Sequence, residues 1–328
     1  MERPFRQAVR DRLLAVLVLA CVLPLLVSCG QQPEQPLRIA SSPWPGYEPL
    51  YLAHEMGYLP EHRAQVFELP SSDITLEAFR NRSADIATLT LDEVLDLLHS
   101  GVKLRILMVL DVSHGADAVM ASPRVKSLAD LKRKRIAIPN IPLGVYMLSR
   151  TLEAAKLRRS EVQVIPSAES KHEEMYRQGK ADAFITFDPF KTRLAALGAR
   201  VLFDSSDIPN EILDLMVVHE EVYLQRRHEV CEVARQWLRT LDYMQQSPDA
   251  AAASIAKRLG VTPQAYLDMV RGIRTPGVQE NLSLLGGQRA ILQPARRLVE
   301  VMLAEGQLKH PVDVVAALAP DLQACIAP

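Results

Sequence analysis

Trp44 and Tyr47 stand three residues apart in Ser41-Ser-Pro-Trp-Pro-Gly-Tyr-Glu48, an indole and a phenol set among Pro43, Pro45 and Gly46. Prolines stiffen the backbone, and the two rings offer broad apolar faces with one polar edge each, which suits the wall of a small-molecule site. Packing of both rings against the fold explains their presence equally well, because aromatic side chains are largely buried. Ser41, Ser42, Thr88, Thr90, Ser113 and Thr186 add hydroxyls at the ends of short apolar runs or in the turns beside them. Asp188 precedes Pro189, the pattern of a helix cap followed by a first-turn proline, and Asp214 is either a carboxylate beside a cleft or a surface residue. These groups suit recognition of a solute. There is no G-x-S-x-G, P-loop or Rossmann glycine string, and His-Glu at His54, His172, His219 and His228 lacks the second histidine of a zincin helix.

The elements that must position these residues follow from the pattern. An apolar run at 37–40 predicts a strand, the Pro-rich loop follows, and a helix comes next with Pro49 in its first turn and Gly57 past its end. In an open α/β sheet such a loop lies at the carboxyl end of its strand, where ligands bind. Strands are expected at 64–69, 85–89 and 103–112, with helices at 73–81 and from Thr90, whose Thr-Leu-Asp-Glu has capping-box form. A second set follows: a short capped helix at 127–132, strands at 135–139, 162–165, 183–186 and 200–203, and helices at 142–155, 170–178 and 189–197. Residues 83–92 and 180–189 echo each other, each with Ala-Asp, an apolar strand ending in threonine, and a cap at Thr90 or Asp188. A strand at 212–219 rejoins the first set. The rest is helical, at 220–246, 248–259, 263–271 and 294–305. This predicts an α/β protein of two lobes, mainly parallel sheets flanked by helices, with lobe one at 37–115 plus 210–328, lobe two at 116–209, and crossings at 113–116 and 204–210 that act as a hinge.

The 328 residues are enough for two lobes; at 48% hydrophobic and 23% charged the composition is that of an ordinary globular protein. Arg3, Arg6, Arg10 and Arg12 against Glu2 and Asp11 leave about −3 on the chain after residue 28, which argues against a nucleic-acid partner. Residues 13–27 are apolar but short for a membrane span and end Leu-Val-Ser-Cys29-Gly. That ending resembles the lipobox of bacterial lipoproteins. It implies a signal peptide at 1–28, lipid on Cys29, a tether at 29–36 and a membrane-anchored protein on the extracytoplasmic face. Cys231 and Cys325 then remain; their spacing decides nothing about pairing, and two buried free thiols are expected. No metal motif or cofactor is expected.

The order of motifs resembles the periplasmic substrate-binding proteins of ABC importers, in the group that includes nitrate, aliphatic sulfonate, taurine and thiamine-pyrimidine binders. The likeness is carried by P-W-P-G-Y-E-P-L-Y-L-A with M-G-Y (43–58), A-D-I-A-T-L-T-L-D-E (84–93), G-A-D-A-V-M-A (115–121), S-L-A-D-L-K-x-K-R-I-A (127–137) and G-K-A-D-A-F-I-T-F-D-P (179–189). The resemblance implies a monomeric two-lobed clamp, the type II periplasmic-binding-protein fold. It closes on one solute and delivers it, without chemistry, to a permease with its ATPase. It implies ligand contacts at Ser41, Ser42, Trp44 and Tyr47, at Thr88 and Thr90, and at the second-lobe helix start containing Leu143 and Gly144. The segments expected to face the cleft hold Glu48, Asp111, Asp188 and Asp214 but no arginine or lysine. This favours an amine-bearing or pyrimidine-like solute by charge pairing and cation–π contact. A small oxyanion held on backbone N–H groups is the alternative, as is a solute sensor that touches a receptor in place of a permease. Enzymes that make the thiamine pyrimidine share the binding-protein fold.

Overall fold

The computed structural model describes residues 35–327, so the expected signal segment, Cys29 and most of the tether lie outside the described residues. The described strands are β1 (Leu37–Ser41), β2 (Ala64–Glu68), β3 (Ile86–Thr90), β4 (Leu104–Ser113), β5 (Ala118–Ala121), β6 (Arg135–Ile138), β7 (Gln163–Pro166), β8 (Ala183–Thr186), β9 (Arg200–Asp204), β10 (Leu213–His219) and β11 (Ile273–Arg274). They form two sheets, ordered β11-β4-β10-β3-β1-β2 and β7-β6-β8-β5-β9. In each sheet three strands run parallel, β2-β1-β3 and β7-β6-β8. The strand that arrives from the other sheet, β10 or β5, pairs antiparallel with both its neighbours. The two-lobed α/β architecture is as expected, and the sheets are mixed: a chain that crosses from one sheet to the other enters from the opposite end.

The echo read from the sequence has a structural counterpart. Arg38 on β1 gives its backbone N–H and its guanidinium to Asp85, and Arg135 on β6 does the same to Asp182, with matching backbone N–H distances of 2.9 Å. Both pairs lock the first parallel strand to the loop before the third. In each half the amino ends of the first and third parallel strands are therefore tied in the same way.

Local signals mostly hold; β11 and the helices Val278–Leu285 and Leu322–Ile326 have no counterpart among the expected elements, and three further departures stand out. The helix expected at 127–132 is a single 3-10 turn, Leu128–Leu131, closed by Asp130 accepting from the Ser127 N–H. The helix expected at 220–246 breaks at Arg226 into Glu220–Gln225 and Arg227–Gln246. Arg227–Gln246 packs on the helix Glu48–Glu55, with Trp237 fully buried. The third departure is a correction: Cys231 and Cys325 form a disulfide, their Cα atoms 4.8 Å apart, tying that long helix to the helix Leu322–Ile326. Sequence spacing could not show that the last helix returns to the early turns of Arg227–Gln246.

The bridge closes a loop with a sequence separation of 94 residues. In the chain-entropy account a loop of that size restricts the unfolded chain enough to contribute about 2–5 kcal/mol. Replacing both cysteines by alanine is expected to lower the urea midpoint by a corresponding amount; an unchanged midpoint would show that the bridge is not stabilising. Among the described residues no helix is long and apolar enough to cross a membrane.

The segments between the sheets are held to each other. Ser113 and Ser205 share a 2.7 Å hydrogen bond, the Gly115 N–H donates to the Ser205 hydroxyl, and the Ser205 N–H donates to the Asp117 carbonyl. The β11 region covers them, the Gly272 carbonyl accepting from the His114 N–H.

Candidate functional site

The Pro-rich loop places its rings by a close approach of backbone to side chain. Pro45–Tyr47 form one 3-10 turn, and a Cβ on Gly46 would overlap both the Asp111 carboxylate and the Trp44 indole nitrogen. With glycine there, Trp44 Nε1 donates to Asp111 Oδ2 at 2.9 Å, and the Tyr47 hydroxyl donates to Asp214 Oδ1 at 2.5 Å. Both acceptors come from register. Asp214 on β10 lies opposite Asp111 on β4 and opposite Thr90 on β3, so three strands bring two carboxyls and a threonine into one row. Like charges directly opposite each other repel, and the two ring donors offset that cost.

Thr90 then starts the helix Leu91–His99, its N–H donating to Glu93 Oε2 at 2.9 Å. Asp92 and Glu93 in that first turn are buried, and so is Asp117, which follows the crossing after β4 and whose N–H donates to the Ser113 hydroxyl.

The cleft between the sheets is lined by Ser42, Trp44, Tyr47, Ser72, Thr90 and Asp214 on one side and by Asp117, Ile141, Leu143 and Phe187 on the other. Trp44 and Phe187 meet edge-on across it, centroids 5.7 Å apart. The space left among these side chains is about 20 Å3, room for about one water molecule.

The electrostatics are one-sided. Burial pushes Asp117 up to about 7, against the hydrogen bond with Ser113, with Asp214 and Asp92 adding repulsion. Burial raises Asp111 to about 6, opposed by its contacts with Asp214 and Trp44. Asp92 rises to about 7, and Glu93 and Asp214 rise well above the carboxylate range, in each case chiefly through burial. No arginine or lysine lines this cleft among the described residues. The nearest basic influence on Asp117 is Lys191, whose Nζ donates to the Gly115 carbonyl at 2.7 Å.

Of the candidates named from the sequence, Ser42, Trp44, Tyr47, Thr90, Leu143 and Asp214 line the cleft. Others stand behind it. Ser41 is buried and accepts from the Thr88 hydroxyl at 3.2 Å, so these two join β1 to β3. Ser113 joins the two crossing segments through Ser205. Gly144 lets its helix approach the strand end, since a Cβ there would overlap the Pro139 carbonyl. Thr186 is buried. Asp188 accepts from the N–H and hydroxyl of Thr192, at 2.9 and 2.6 Å; it stands one residue before the N-cap, which is Pro189, so the proline expected in the first turn lies just outside the helix Phe190–Ala196. Glu48 does not face the cleft either: its carboxylate pairs with Arg258. Ser72, Asp117, Ile141 and Phe187 were not singled out, although Asp117 and Phe187 lie within two of the quoted motifs.

The NMT1-like family model matches residues 30–260, most of the chain and both sheets. The chain belongs to the NMT1-like family. Among curated proteins none matches the sequence. Solved structures are similar in fold. The alkanesulfonate-binding protein SsuA of Xanthomonas axonopodis pv. citri, bound to MOPS, superposes with a TM-score of 0.74 at 17% identity, over 88% of this chain and 99% of that one. The periplasmic aliphatic sulphonate binding protein SsuA of Escherichia coli gives 0.69 at 18% identity, over 86% and 96%. The desulfurization enzyme DSZB also matches, with a TM-score of 0.65 at 18% identity over 89% and 98%. At these identities the likeness is one of fold, the two-lobed fold of periplasmic binding proteins, and that fold carries an enzyme as well as binders.

Proposed function

We propose that the protein is a solute-binding protein that captures a small organic cation between its lobes, does no chemistry on it and delivers it to an ABC permease. The single observation that carries the cation is the set of buried carboxyls at Asp111, Asp214 and Asp117, with no basic side chain lining the cleft among the described residues. Carboxylates buried this deeply are costly to ionise, and their partners Trp44, Tyr47 and Ser113 are neutral, so a ligand that brings positive charge supplies a charge pairing the site otherwise lacks. A primary ammonium is close to water in size and suits the space beside Asp117 and Asp214. Trp44 and Tyr47 present ring faces and edges to the same space. Neither lobe encloses that space alone, so the ligand would favour the closed arrangement, with the crossings near Ser113 and Ser205 as the hinge. The sequence supports an extracytoplasmic protein held to the membrane by lipid on Cys29 and acting as a monomer.

A second reading, a small oxyanion, is supported by the likeness to sulfonate-binding proteins. Carboxyls that stay protonated near neutrality can donate hydrogen bonds to it. Asp117→Asn separates the two. Asparagine keeps the size and a hydrogen-bonding group but removes the charge, so calorimetric titration with an alkylamine is expected to show affinity falling by tenfold or more, on the scale of about 1.5–3 kcal/mol for a hydrogen bond to a charged group. Unchanged amine affinity, or tighter binding of an alkanesulfonate by the variant, would overturn the cation reading.

A further inference from the structure

Trp44 is shared by two spaces. Outside it lies a larger crevice of about 490 Å3 between Pro43, Pro45, Glu68, Arg258 and Met269 of one lobe and Ser170, Pro189, Phe190, Thr192 and Arg193 of the other. The rings form a continuous line from one space to the other. Tyr47 to Trp44 is 6.4 Å between centroids, Trp44 to Phe187 is 5.7 Å, and Phe187 to Phe190 is 6.0 Å. The two ends of this line differ in charge. At the inner end the Tyr47 hydroxyl meets Asp214. At the outer end the Arg193 guanidinium lies over the Phe190 ring, 5.6 Å from its centroid.

The basic residues near the crevice differ in what holds them. Arg258 is taken up by Glu48 and Glu68, and Lys191 by the Gly115 carbonyl. Arg193 is exposed, and among the described residues no carboxylate pairs with it. The cleft therefore runs from buried acid, along apolar rings, to a free cation at its mouth. The inner space of about 20 Å3 holds a group the size of an ammonium, and the crevice is the larger space that shares the Trp44 ring with it.

We infer that the crevice outside Trp44 is a second subsite and that the ligand is bipolar: a primary ammonium in the inner cavity, an apolar chain along Trp44, Phe187 and Phe190, and an oxyanion, sulfonate or carboxylate, on Arg193. This rests on the cation reading of the inner cavity. A guanidinium that pairs with no carboxylate keeps its N–H donors available to an oxyanion, and a charge-assisted pair at an exposed rim is weaker than a buried one and screened by salt.

The test is calorimetric titration of the full-length protein with straight-chain primary amines and with ω-aminoalkanesulfonates and ω-aminocarboxylates of the same lengths, repeated with Arg193→Ala and Arg193→Lys. The bipolar compound of best length should bind wild type about tenfold more tightly than its amine counterpart, one decade of affinity. Arg193→Ala should remove that gap and leave the amine's affinity unchanged, Arg193→Lys should keep part of it, and 0.5 M salt should narrow it. If the amines bind and the gap is absent, or survives in Arg193→Ala, the second subsite is refuted while the cation reading stands. If no amine or amino acid of either series binds wild type, both fall together.

Discussion

Trp44→Ala is expected to weaken binding of the cognate solute by about 1–3 kcal/mol, the scale of losing a large buried contact, and to destabilise the empty protein as well. The second effect follows from what the indole does without a ligand. Trp44 is only 7% exposed, meets Phe187 edge-on and gives its N–H to Asp111. Truncating a buried tryptophan leaves a cavity worth about 3–5 kcal/mol in a well-packed site, and here it also leaves a buried carboxyl without a donor. Trp44→Phe separates the two roles. It keeps a smaller ring against Phe187 and loses the N–H with part of the indole, so part of the stability should return while Asp111 becomes more basic. Urea unfolding and titration of both variants check this. Wild-type affinity in Trp44→Ala would show that the solute binds elsewhere.

Binding should strengthen and the empty protein should weaken as pH rises from 5.5 to 8. Burial holds Asp117 near 7 and Asp111 near 6, and Asp214 and Glu93 higher, above their values in an unfolded chain. A raised folded-state value means the folded form binds the proton more tightly. Its stabilising effect is full below the unfolded carboxyl range near 4 and is lost as pH climbs through about 6 to 7. The groups facing Asp117 are Asp214, Asp92 and Lys191, and those facing Asp214 are Asp111, Asp92 and the Tyr47 hydroxyl. A cation must displace protons from this set, so its affinity should rise by up to about tenfold per pH unit for each proton released, until pH passes the value of the group that releases it. An oxyanion would show the reverse slope. Thermal unfolding and titration over the same range give both trends; a Tm that rises from pH 5.5 to 8 would contradict the charge assignment.

The fold was largely legible because each strand of the two parallel trios is followed by a helix with a readable start, as at Thr90 and Pro142. The aromatic loop was legible for a related reason: two prolines and a glycine around two rings mark a rigid turn. What the sequence could not show is register. Asp111 and Asp214 are far apart in the chain and become neighbours only because β10 enters antiparallel between β3 and β4. Glu48 reads as a cleft carboxylate until Arg258 arrives from a helix some 210 residues away. On β8 all four residues are buried, so no alternation marked which of Thr186, Phe187 and Asp188 would face the other lobe. The ring does, and the two polar neighbours named in its place do not line the cleft.

The central claim is that a positively charged group binds at Asp117 and Asp214. The most direct measurement is paired calorimetric titration of wild-type protein at pH 7.5 with a straight-chain alkylamine and with the alkanesulfonate of equal length. Saturable one-to-one binding of the amine with no heat from the sulfonate is the predicted result. Saturable binding of the sulfonate with none of the amine would contradict it.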